Sequence, residues 1–126
     1  MKILVFADSH RSISYMRQAV EEEKPDQVIH LGDLMRDAEE LAEEFPKIPV
    51  CMVPGNCDGW TMVLPIKRIT LQGRNFLLSH GHLWKVKQGY DLAIAEAQKA
   101  GVEFLLFGHT HRALCQQQES GLWVIN

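Results

Sequence analysis

Five short apolar runs divide the chain, and each stops abruptly at residues able to bind a cation. Leu4-Val5-Phe6-Ala7 gives way to Asp8-Ser9-His10, and Val28-Ile29-His30-Leu31 to Gly32-Asp33. Val50-Cys51-Met52-Val53 runs into Pro54-Gly55-Asn56-Cys57-Asp58. Phe76-Leu77-Leu78 ends at Ser79-His80, and Phe104 to Phe107 ends at Gly108-His109-Thr110-His111. Short continuous apolar runs with such boundaries predict buried strands. Open α/β sheets assemble ligand sites at the carboxyl ends of their strands, so the five endings predict one shared metal site.

Helical periodicity fills the intervals of the first half. Ile13, Met16 and Val20 recur at helical spacing after Ser12, a candidate N-cap, and Pro25-Asp26 closes that helix. From Asp37 to Phe45, Ala38, Leu41, Ala42 and Phe45 form one face and Glu39, Glu40, Glu43 and Glu44 the solvated one. The β-α-β-α-β order predicts a parallel sheet with right-handed crossovers. In the second half, Ile66–Leu71 alternates, Gln72-Gly73-Arg74 reads as a turn, and Asn75–Ser79 returns as a hairpin partner. A helix is expected from Tyr90 to Ala100, ended by Gly101. Ala113–Gln118, the turn Glu119-Ser120-Gly121 and Leu122–Ile125 predict a second hairpin. The pattern predicts an α/β sandwich with a mixed sheet, forming one domain over residues 1–126. Trp60, Trp84 and Trp123 are expected as packing anchors, with Trp84 also placed to wall a pocket. Cys51 and Cys115 are expected in core or strand positions, and His30 in a packing role or supporting a neighbouring ligand rather than binding metal.

Composition narrows the class. A chain of 126 residues with 46% hydrophobic and 23% charged residues can bury one core without disulfides. Its net charge of −3 offers no surface for nucleic acid or anionic membrane. No apolar run approaches the roughly 18–20 residues that span a bilayer. Asp8 interrupts the first run too early for a signal-peptide core. Three cysteines without metal-type spacing fit reduced thiols, so a cytoplasmic location is expected.

The strand-end residues define the chemistry. Asp8, His10, Asp33, Asn56, His80, His109 and His111 supply two carboxylates, one amide and four imidazoles. Such a mixed set suits Mn²⁺, Fe²⁺, Zn²⁺ or Ni²⁺ better than Ca²⁺ or Mg²⁺. Seven ligands exceed one tetrahedral site. With one bridging carboxylate they suffice for two divalent ions about 3.5–4 Å apart, with positions left for water and substrate. Two aspartates offset only half the charge of two such ions, and the positive remainder favours an anion such as phosphate.

Asp8-x-His10, Gly32-Asp33, Gly55-Asn56-x-Asp58, His80-Gly81 and Gly108-His109-x-His111 occur in order along the whole chain. In this the sequence resembles the calcineurin-like metallophosphoesterase superfamily, and most closely its small prokaryotic phosphodiesterases of the YfcE type. The resemblance implies a metallophosphoesterase-type α/β sandwich, with mixed central sheets flanked by helices. It assigns Asp8, His10 and His111 to a first ion, Asn56, His80 and His109 to a second, and Asp33 to the bridge. Mn²⁺ is the first expectation, with Ni²⁺, Zn²⁺ or Fe²⁺ as alternatives. It further implies hydrolysis of small organic or nucleotide phosphodiesters by a hydroxide between the ions, with Asn56 helping to orient the phosphate. Asp58 is expected to fix a neighbouring imidazole or turn rather than bind metal.

Two departures qualify the resemblance. Many members carry histidine after Gly-Asn as general acid, where this chain has Cys57; Cys57 and His82 are the candidate replacements, and good leaving groups should be preferred. Members usually continue past Val124-Ile125-Asn126 with a Pro-Gly-Ser turn and further strands. A short C-terminal end would expose a sheet edge that self-association could cover. The alternative readings are a phosphomonoesterase and a scaffold of the retromer-subunit type. The complete histidine set favours the enzyme.

Overall fold

The computed structural model describes residues 1–126. Strands β1 (Ile3–Phe6), β2 (Gln27–His30) and β3 (Val50–Met52) form an all-parallel sheet with β2 central. Helices α1 (Ile13–Glu23) and α2 (Met35–Glu44) make its crossovers. A second sheet, in the order β4-β5-β6-β8-β7, contains β4 (Ile66–Leu71), β5 (Arg74–Ser79), β6 (Phe104–Leu106), β7 (Cys115–Gln117) and β8 (Trp123–Ile125). Its β4–β5 and β7–β8 pairs are antiparallel hairpins, whereas β5–β6 and β6–β8 are parallel. Helix α3 (Asp91–Ala100) connects β5 to β6 after a short 3₁₀ turn at His82–Trp84. The strands therefore divide between a parallel sheet and a mixed one, flanked by helices as the resemblance implied.

Strand alternation builds three apolar layers. Val28 faces outward to Met16, Val20 and Leu41 of the two helices. Its neighbours Ile29 and Leu31 face the other way, meeting Phe76, Leu78 and Leu106 of the second sheet. On that sheet's far side, Leu77 and Leu105 pack with Ala93 and Ala97 of α3. The layer order is helix, sheet, sheet, helix, and burial on both faces is what makes the apolar runs of β2, β5 and β6 continuous. No helix is long and apolar enough to cross a membrane.

Several local expectations change. Helix α2 starts at Met35, not Asp37, because Asp58 Oδ1 accepts the Met35 N–H at 2.6 Å. That cap lies 23 residues downstream, beyond any local capping rule. Ser12 occupies the N-cap of α1, but at ψ 52 its side chain caps nothing. The hairpin loop contracts to Gln72-Gly73, both at positive φ (49 and 76) as a two-residue turn of type I′ requires. Trp84 is buried in the core beside α3, and the cavity it lines contains none of the expected metal ligands. Trp60 is 87% exposed, because its loop passes outside all three apolar layers. Trp123 is half-buried, and Cys115 is an exposed strand residue.

Candidate metal centre

The parallel strands of both sheets end at the same edge. Asp8 follows β1, Asp33 follows β2, His80 follows β5, and His109 and His111 follow β6. Backbone bonds tie these turns together: Asp8 N–H donates to Gly32 O (2.9 Å), His10 N–H to Asp33 O (3.0 Å) and Gly108 N–H to His80 O (2.9 Å). Between the sheets, His109 N–H donates to Asp8 Oδ2 at 2.9 Å.

Two three-donor groups result. The donor atoms of Asp8, His10 and His111 lie within 4.8 Å of one another, and so do those of Asp33, His80 and His109. Asp33 Oδ2 lies 3.3 Å from His80 Nε2 and 3.9 Å from His10 Nε2, between the two groups. Asp8 Oδ1 lies 3.3 Å from His111 Nε2 and 3.7 Å from His80 Nε2. A third set joins His10 and Asp33 to Cys57. Asn56 is exposed on the adjoining loop, where its amide reaches Cys57 Sγ at 3.6 Å. His82 stands behind His80, with ring centroids 5.5 Å apart.

The donors fit divalent cations. Asp8 Oδ1 is buried with no hydrogen-bond partner, a costly state for a carboxylate oxygen that a cation would relieve. Five proposed ligands, Asp8, His10, Asp33, His109 and His111, have positive φ (43 to 73). Strained left-handed backbone of this kind persists where the surroundings over-determine it, and it clusters at functional sites. His80 is fully buried and its Nδ1 lies 2.8 Å from Leu31 O. Nδ1–H therefore donates to that carbonyl, fixing the tautomer that aims the Nε2 lone pair into the cluster.

Electrostatics hold the donors in ligand form. Burial opposes ionisation of Asp33, but the Cys57 N–H bond at 2.9 Å and the nearby His80 outweigh it and lower its pKa. Burial, then His80, lowers the pKa of His109, which favours the neutral imidazole a metal needs. The same two causes lower that of His82. Cys57 is pushed up, first by its hydrogen bond to Asp33, so it remains a thiol at neutral pH.

Residues away from the donors set the turns. Asp58 accepts three backbone N–H groups, from Asp33 (3.0 Å), Met35 (2.6 Å) and Gly55 (2.7 Å). Ser9, His30 and Asp37 hold the first turn. Ser9 Oγ donates to Asp37 Oδ2 at 2.6 Å, which also accepts Arg11 N–H at 2.7 Å. Nothing in the sequence pattern singles out Ser9 or Asp37. The usable signal is an acid in the first turn of a helix adjoining the site, whose role appears only when the helix begins at Met35.

Gly55 has no spare room. A Cβ there would overlap Asp33 Oδ1 and lie 2.9 Å from Asp33 N. Gly55→Ala is expected to displace the Asp33 carboxylate, costing about 1–3 kcal/mol in urea unfolding through overpacking. About a hundredfold should be lost from any activity that depends on Asp33. Wild-type stability and wild-type metal affinity in this variant would contradict that geometry.

A family model described as the calcineurin-like phosphoesterase superfamily domain matches residues 1–126. The chain belongs to this superfamily. It is similar to the probable metallophosphoesterase YsnB of Bacillus subtilis (strain 168), at 31% identity over 116 residues, covering 90% of this chain and 66% of the relative. It is also 31% identical over 114 residues to the probable metallophosphoesterase MG207 of Mycoplasma genitalium, covering 88% and 66%. The chain thus spans just under two thirds of these curated relatives. Among solved structures, a predicted phosphoesterase from Streptococcus pneumoniae TIGR4 superposes with a TM-score of 0.82 at 23% identity, over 99% of this chain and 70% of that one. Vps29 from Entamoeba histolytica, complexed with zinc, gives 0.80 at 21% identity, over 100% and 73%. Both likenesses are of fold.

Proposed function

We propose that the chain is a metal-dependent phosphodiesterase acting on small organic or nucleotide phosphodiesters. The observation that carries this reading is the pair of three-donor groups with Asp33 between them. Asp8, His10 and His111 would hold one divalent ion and His80 and His109, with Asn56, the other; Asp33 would touch both. When bound, such ions supply Lewis-acid stabilisation of phosphoryl oxygens and activate water at neutral pH.

The chain's own residues do the remainder. Asp33 and Asp8 neutralise only part of the bound charge, so the cavity attracts a phosphate anion. Asn56, exposed beside the cluster, presents an amide N–H to a phosphoryl oxygen. Cys57 keeps its proton and can hand it to a leaving oxygen, whereas His82, the other candidate, has a lowered pKa that favours the unprotonated ring, which is unable to act as the acid. A thiol held above its usual pKa is a weak donor, which fits a preference for good leaving groups.

The test compares bis(p-nitrophenyl) phosphate with p-nitrophenyl phosphate, using chelated protein re-supplied with Mn²⁺, Ni²⁺, Zn²⁺ or Mg²⁺. Metal-dependent turnover favouring the diester, with Mn²⁺ the most effective ion, is expected. Preference for the monoester would replace the reading with phosphomonoesterase. Absence of turnover despite tight binding of two ions would favour the scaffold role.

A further inference from the structure

Beside the metal-ligand cluster, a cavity of about 440 Å³ opens between the loop after β3 and the start of α2. Its lining includes Arg11, Leu34, Met35, Arg36, Cys57 and Trp60. Cys57 also belongs to the donor group with His10 and Asp33, so the cavity adjoins the reacting centre directly.

Two features of this wall have no structural use within the chain. Trp60 is 87% exposed, although its ring would gain from burial. Arg11 and Arg36 form no ion pair and no side-chain hydrogen bond, whereas Arg17 is committed to Glu44 and Arg74 to Glu103. Arg11 and Arg36 also line the adjoining polar cavity of about 300 Å³. Of the nearby carboxylates, Asp58 is occupied by three backbone amides and Asp37 by Ser9 and Arg11 N–H. Glu39 and Glu40 are exposed on the solvated face of α2, and none of these four carboxylates forms an ion pair with either guanidinium.

We propose that this cavity is a substrate subsite for a phosphodiester bearing an aromatic, nucleobase-sized group and a second phosphate. The inference rests on the phosphodiesterase reading and specifies its substrate. Trp60 would stack the ring, as exposed aromatic residues do with bases. Arg36 and Arg11 would receive the second phosphate in their planar, charge-assisted geometry. The scissile phosphate would then lie towards Cys57 and the donor cluster. A simple dialkyl ester engages none of these groups.

Equilibrium dialysis of the Mn²⁺-loaded chain against adenosine 3′,5′-bisphosphate and inorganic phosphate tests the assignment. The bisphosphate is expected to bind at least about tenfold more tightly than inorganic phosphate. Trp60→Ala should weaken it about tenfold, consistent with the loss of one base stack, and Arg36→Ala should weaken it about fivefold, with partial rescue by Arg36→Lys. Inorganic phosphate, which has no ring, should be much less affected by Trp60→Ala. Circular dichroism of both variants confirms folding, which their exposed positions favour. Equal affinity for the two ligands, or bisphosphate binding indifferent to both substitutions, overturns the subsite even if bis(p-nitrophenyl) phosphate is hydrolysed. Selective bisphosphate binding without hydrolysis of any ester supports the subsite and instead overturns the phosphodiesterase reading.

Discussion

Asp33→Asn is expected to lower metal-dependent ester hydrolysis by about a thousandfold while leaving the fold nearly intact. The carboxylate lies between both donor groups, 3.3 Å from His80 Nε2 and 3.9 Å from His10 Nε2, and it is 4% exposed. Asparagine keeps the volume and an oxygen to accept the Cys57 N–H, so packing and the turn survive. What disappears is the negative charge that two cations would share, and electrostatic groups of this kind account for losses of about 10²–10³ or more. Asp33→Ala should show the same kinetic loss with a further destabilisation of about 1 kcal/mol, because the Cys57 amide loses its acceptor. Steady-state kinetics combined with thermal melting separates the two effects. An Asp33→Asn enzyme retaining a tenth of the wild-type rate would remove Asp33 from the bridge.

Acidification from pH 7 to about pH 4 is expected to cost about 3 kcal/mol of stability through His30 alone. His30 is fully buried, and burial lowers its pKa to about 4 against the attraction of Asp37. Geometry gives the same answer. Gly32 N–H donates to His30 Nδ1 at 3.1 Å, so that nitrogen holds a lone pair, and Nε2–H faces Ser9 Oγ at 2.9 Å. Adding a proton at Nδ1 would set two donors against each other. The unfolded chain takes up this proton near pH 6.5 and the folded chain only near pH 4. In that window the unfolded state binds more protons, so stability is complete above about pH 6.5 and falls as pH drops. The depressed pKa values of His82 and His109 act in the same direction, whereas that of Asp33 matters only near and below the ordinary carboxylate range. Urea unfolding across this range should show a steep loss in the wild type and a shallower one in His30→Gln. Equal pH slopes in the two proteins would exclude His30 as the origin.

The strand endings were legible because burial on both faces writes continuous apolar runs, and each run stops where the chain turns toward the shared edge. The helices and both hairpins followed from periodicity and turn residues. Non-local capping was not legible: α2 begins at Met35 because Asp58 reaches it from another loop. The division into two sheets depends on which strands pair, a property absent from periodicity. Trp60 illustrates a further limit, since its loop lies outside the apolar layers and leaves the ring 87% exposed. Asp8, Asp33, His80, His109 and His111 could be nominated from their strand-end positions. The Ser9–His30–Asp37 network could not, because its members belong to separate elements and none matches a spacing rule.

Manganese titration of the chelated protein, with electron paramagnetic resonance and diester hydrolysis recorded on the same samples, determines whether Asp33 bridges a pair of catalytic ions. Two ions per chain, an exchange-coupled signal, and hydrolysis that appears as the second ion binds are expected. In Asp33→Asn the coupling and the rate should disappear together. A full rate with one ion, or two ions without magnetic coupling, would contradict a paired centre bridged by Asp33.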